Sequence, residues 1–146
     1  MTRKAKKDSP ARSRRKVLKR IRNVTVAVAL CSVGALGLTA YKHSYDVSHD
    51  LSVIGNGTPT VVQIHDTSCR LCQSLRSNVD SVKGEFRDQI QFRIADIHTS
   101  SGRALAHRYD VPHVTLLLFD GDGKLVTTLT GVREPSDLRP SFRTLL

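Results

Sequence analysis

Two hydrophobic rhythms alternate through the second half of the chain. The run "TVVQIH" over Thr60–His65 is short and rich in β-branched residues, which predicts a strand. The next stretch sets Leu71, Leu75, Val79, Val82 and Phe86 at helical spacing, with Ser68 or Thr67 as the cap. "QIQFRIADI" returns to a strand, and "SSGRALAHRYDV" to a helix carrying Leu105 and Tyr109 on one face. "VTLLLFD" is apolar enough for a strand buried on both sides. The turn "GDG" leads into "KLVTTLTG", with Leu125 and Leu129 on one side, and so predicts a hairpin. A last helix starts after Glu134; Pro135 suits its first turn, while Pro140 leaves its middle open. The order β-α-β-α-β-β-α predicts an α/β domain built on a mixed sheet with helices on both faces.

Upstream the pattern differs in kind. Residues 42–58 hold no sustained period and end in the turn-rich "GNGTP", which reads as a linker with a short strand at Leu51–Ile54. Asn23 to Tyr41 are nineteen residues without a charge. As a helix they would span about 28 Å, one hydrocarbon core. The expected organisation is a basic cytoplasmic tail (1–22), a transmembrane signal anchor (23–41), a linker (42–58) and a folded domain (59–146). A cleaved signal peptide competes for the same apolar residues. Under either reading the domain is exported, most simply to a bacterial periplasm.

Charge changes this picture only at the tail. Of 23 Lys/Arg and 13 Asp/Glu, eleven bases and one acid fall in residues 1–22, which leaves twelve of each for the rest. The formal net charge of +10 is therefore the tail's. It marks the flank that stays cytoplasmic, and the neutral remainder offers no basic face to a nucleic acid.

The chemistry concentrates in "HDTSCRLC", His65–Cys72. Cys69 falls at a helix start, where free N–H groups and the dipole favour a thiolate, and Arg70 adds a positive charge beside it. Cys72 follows one turn deeper, within reach of a mixed disulfide at Cys69. That makes Cys69 the expected nucleophile and Cys72 the resolving thiol. A static staple is the weaker reading, because so small a ring gains little from loop closure. Cys31, inside the apolar segment, reads as a small buried residue.

A CxxC at the junction of the first strand and first helix, within this element order, resembles the thioredoxin superfamily. Asp96 with the following "RALAHRYDV", the hairpin "TLLLFDGDGKLV" and the closing Thr130-Gly131 carry the same likeness. The resemblance spans Pro59 to Leu146 and implies a thioredoxin-like domain acting as a thiol–disulfide oxidoreductase through Cys69 and Cys72. It implies no cofactor, since the dithiol carries both electrons. Cysteine-containing exported proteins are the expected partners, and the anchor suggests a membrane partner that resets the redox state. Three features depart from the family. Arg70-Leu71 stand where reducing members have Gly-Pro. Gln63 replaces a buried acid, and Val114, or Thr115, replaces the cis-proline that faces the cysteines. The rival reading is a binding module that holds a protein or a copper ion, with His65 and His113 completing a Cys/Cys/His/His set. His43, His49, His98 and His107 read as surface or linker residues, and Asp120 and Asp122 as parts of a turn.

Overall fold

The computed structural model describes residues 37–146. It divides the chain into two compact units, Met1–His43 and Ser44–Leu146. Residues 37–43 of the first unit are helical and exposed. The basic tail, Cys31 and most of the expected membrane anchor lie outside the described residues. Among the described residues no helix is long and apolar enough to cross a membrane.

The second unit begins with a short helical stretch, α1 (44–49), where Tyr45 stacks on His49 at 3.9 Å between ring centroids. Then come β1 (Thr60–His65), α2 (Arg70–Lys83), β2 (Gln91–Asp96), α3 (Ser100–Arg108), β3 (Thr115–Phe119), β4 (Leu125–Thr130) and α4 (Pro135–Arg143). The strands form one sheet in the order β2-β1-β3-β4. β1 pairs parallel with β2 and antiparallel with β3, and β3 with β4 antiparallel, so the expected mixed sheet is present.

β1 and β3 are buried on both sides because the strand period sends alternate residues to two cores. Val61, Leu116 and Leu118 meet Leu75, Val79 and Val82 of α2 and Leu138 and Phe142 of α4. Val62, Ile64, Leu117 and Phe119 meet Leu105 of α3 on the other face. Each large aliphatic side chain buried this way contributes about 2 kcal/mol. α2, at 14 residues, needs that packing to persist. Phe86 lies beyond the end of α2 and packs edge-on against Phe142.

Four expectations are corrected. Leu51–Ile54 form turns rather than a strand, and the Ile54 N–H reaches the Leu51 carbonyl at 3.4 Å. Leu51 and Ile54 pack on the α3-side core, and Gly57 N–H bonds the Gly121 carbonyl at 2.9 Å, so this segment is part of the packed unit. Leu125 and Leu129 do not share a face. A bulge shifts the pairing from Leu118↔Thr127 to Phe119↔Leu125, which sends Leu125 to one core and Leu129 to the other. Leu71 is 59% exposed although its spacing placed it with Leu75; in the first turn of α2 it is Cys72 that is buried. Pro140 does not break α4, which continues to Arg143 with that residue exposed.

Candidate active site

The site grows from one loop. Asp66, just past β1, accepts from the backbone N–H of Ser68 at 2.8 Å and from its hydroxyl at 2.7 Å. Its own carbonyl receives the Cys69 N–H at 3.1 Å. His98 Nε2 closes the cluster at 3.1 Å from the same carboxylate oxygen, and these donors hold Asp66 far below the usual carboxylate range. The loop delivers Cys69, not Ser68 or Thr67, to the N-cap of α2. Its sulfur takes the place of a capping oxygen and accepts the Cys72 N–H at 3.3 Å.

That bond explains the electrostatics. The Cys69 thiol is pulled below its ordinary value first by the backbone N–H of Cys72, then by the Cys72 thiol, with a smaller share from Leu71 N–H. Asp66 opposes the shift. Arg70, expected to assist, is exposed and is not among the causes, since short fixed N–H groups outweigh a solvated side chain. Cys72 is fully buried, and burial pushes its thiol up, while the backbone N–H groups of Asp66 and Val114 partly offset the rise. Both cysteines are free thiols, Cys69 partly exposed and Cys72 buried. An accessible thiol that ionises early, beside a sheltered one that ionises late, suits sequential attack and resolution.

Under this pair lies Gln63, 4% exposed. Its Nε2 donates to the Cys72 carbonyl at 2.8 Å and sits 3.3 Å from His65 Nδ1. His65 is buried too, and its ring is held below the usual histidine value by burial first and by Arg76 second. Val114 packs in the same core cluster as Cys72 and has φ of 65°, a left-handed conformation that β-branched residues avoid. The Gly131 N–H fixes it by bonding the Val114 carbonyl at 2.8 Å. No cis peptide bond occurs among the described residues. Thr115, the first residue of β3, is buried with its hydroxyl unpartnered.

The structure thus brings Cys69, Cys72, Gln63, His65 and Val114 together. Leu71 and Arg70 stand exposed at the rim, and His113 is exposed on the loop before β3. The Cys/Cys/His/His metal set is not assembled: among the described residues no group of three or more His, Cys, Asp or Glu is placed to hold an ion. His65 instead turns to Gln63. Sequence reasoning missed Asp66 and His98. The "DTS" before Cys69 carried the signal for Asp66, because Asp favours turns that bond the N–H two residues on. Nothing local signals His98, which arrives from the loop after β2.

Comparison with known proteins places these features. The chain is 24% identical over 110 residues to the chloroplastic thioredoxin-like protein HCF164 of Oryza sativa subsp. japonica, covering 65% of this chain and 42% of that protein. It therefore spans less than half the length of that relative. Among solved structures, Fasciola hepatica thioredoxin superposes with a TM-score of 0.54 at 22% identity, over 63% of this chain and 85% of that one. A Malassezia sympodialis thioredoxin, Mala s 13, gives 0.55 at 18% identity, over 64% and 81%. Those two likenesses establish the fold. The sequence model named Thioredoxin matches residues 41–143, and with most of its length inside that match the chain belongs to the thioredoxin family.

Proposed function

We propose that the protein is a thiol–disulfide oxidoreductase, anchored in the membrane by residues 23–41, with its thioredoxin-like domain on the exported side. One observation carries the chemistry: Cys69 is the sulfur cap of α2 and the partly exposed member of the pair, while Cys72 is sealed behind it. In the reducing direction the Cys69 thiolate attacks one sulfur of a client disulfide. A Cys69–client bond forms and the other client sulfur leaves as thiolate. Cys72 then gives up its proton to water and attacks Cys69 Sγ. The Cys69–Cys72 disulfide forms, the second client sulfur leaves, and two electrons have passed to the client. The oxidising direction is the same sequence reversed.

The clients on this reading are exported proteins with cysteines, and a redox partner in the inner membrane restores the pair. The uncharged segment and its basic flank support the anchor. The second reading, a non-catalytic binding module, is favoured by the left-handed Val114 where the family has its proline and by Gln63 where it has an acid.

The test is the reduction potential of Cys69–Cys72, from equilibration with glutathione or dithiothreitol and mass analysis after alkylation. A value near about −270 mV marks a reductant and one near about −120 mV an oxidant. A pair that does not cycle removes the enzyme and leaves the binding module.

A further inference from the structure

A single line of hydrogen bonds runs from a buried histidine to the partly exposed thiol. His65 Nδ1 lies 3.3 Å from Gln63 Nε2, which donates to the Cys72 carbonyl at 2.8 Å. Cys72 in turn donates its N–H to Cys69 Sγ at 3.3 Å. The sheet thereby grips the residue whose backbone stabilises the thiolate. We propose that Gln63 is a positioning residue for the cysteine pair, and that the protonation of His65 decides whether Gln63 can hold it.

The chemistry of the donors forces the link. With its proton on Nε2, neutral His65 presents a lone pair at Nδ1 to the Gln63 N–H, but protonated imidazole donates from both nitrogens. The Nδ1–H then opposes the Gln63 N–H. If the amide turns over, its oxygen satisfies the ring and faces the Cys72 carbonyl, acceptor against acceptor. Either arrangement loses one of the two bonds. Gln63 also lines a cavity of about 60 Å³ with Ser48, Arg76 and Arg93. An ionised carboxylate in place of Gln63 could not do this, since it would repel the Cys72 carbonyl at any histidine charge.

The groups that act on His65 come from four elements: Arg76 on α2, Asp96 on β2, Asp66 after β1 and His49 on α1. Burial and Arg76 outweigh the two carboxylates, so His65 is neutral at neutral pH and the grip is on. It releases as the pH falls through the His65 value, below the ordinary 6.5.

The inference rests on the thiol chemistry proposed above, yet its test reads ionisation rather than client turnover, so the two fail separately. Iodoacetamide labelling of Cys69 in the full chain, read on the Cys69 peptide, would be followed from pH 4 to 9. A simple charge effect of protonated His65 would favour the thiolate and lift the acid limb. The grip predicts the opposite: the rate falls below a single-ionisation curve by about fivefold, the scale of a weakened charge-assisted hydrogen bond. His65→Asn keeps an acceptor that cannot titrate, and its curve should show one ionisation. Gln63→Leu should lose the extra fall while its His65 still titrates by NMR. A wild-type acid limb on or above the single curve overturns the proposal, whether or not Gln63→Leu folds. So does a Gln63→Leu curve that keeps the second inflection.

Discussion

The starts of α2 and α3 share one backbone plan and differ in the atom that caps it, a sulfur at Cys69 and a hydroxyl at Thr99. Each follows a strand that ends near an Asp, and β1 and β2 set these ends side by side through the His65↔Asp96 pair. Asp66 accepts the Ser68 N–H at 2.8 Å, and Asp96 the His98 N–H at 2.9 Å. The Asp66 carbonyl receives Cys69 N–H at 3.1 Å, and the Asp96 carbonyl Thr99 N–H at 3.0 Å. Cys69 sulfur accepts from Cys72 N–H at 3.3 Å, and Thr99 hydroxyl from Gly102 N–H at 3.1 Å. A hydroxyl in that seat only caps a helix. A sulfur caps poorly, but the same N–H groups stabilise its anion, so one backbone device serves as a joint in one place and as a reactive centre in the other.

The strongest way to break the comparison is to make the two starts alike. Cys69→Ser should abolish mixed-disulfide formation with a model disulfide, while urea denaturation shows stability unchanged or raised by about 0.5 kcal/mol, serine being an accepted N-cap. Loss of exchange together with a large loss of stability would mean that the sulfur is structural. Next comes the third residue of each helix. A Cβ on Gly102 would lie 2.1 Å from the Asp96 carbonyl oxygen, so Gly102→Ala should cost about 2–3 kcal/mol in the same assay. Thr99→Ala, which removes a pure cap, should cost about 1 kcal/mol and leave Cys69 labelling untouched.

A gentler probe uses pH. Cys69 ionises early in the fold, so between its folded and unfolded pKa values the native state binds fewer protons than the unfolded one. Its contribution to stability is present above the unfolded value and is lost as pH falls through the folded one. Cys72 contributes with the opposite sign, through burial. Half-labelling of Cys69 should come below about pH 8.5. Because the leading donor is a backbone N–H, Cys72→Ala should keep most of that lowering. The smallest effect belongs to the bridge between the two loops. His98 is 60% exposed, so His98→Ala should change stability by less than about 0.5 kcal/mol.

The sequence announced what depends on local period or on a motif. Thr60–His65 and the apolar β3 were legible because strand burial repeats every second residue, and Cys69 and Cys72 because their spacing has few other uses. The Leu125–Leu129 side was misread because a bulge leaves no mark in composition. Ser68 looked the better cap by residue type; the Asp66 turn moved that position one residue on. Val114 could be flagged as a missing proline, but its left-handed backbone follows from the Gly131 bond and the surrounding core, which are tertiary. The Gln63–His65 contact combined a strand period of two, visible in advance, with a side-chain geometry that was not.

That bulge also gives β4 a mechanical role. With Leu125 partly buried against the core under α3 and Leu129 partly buried against the core under α2 and α4, the strand works as a stitch through both layers. A force that peels it from the edge of the sheet must open two hydrophobic cores together. The edge strand farthest from the N-terminus is thus a clamp between the layers.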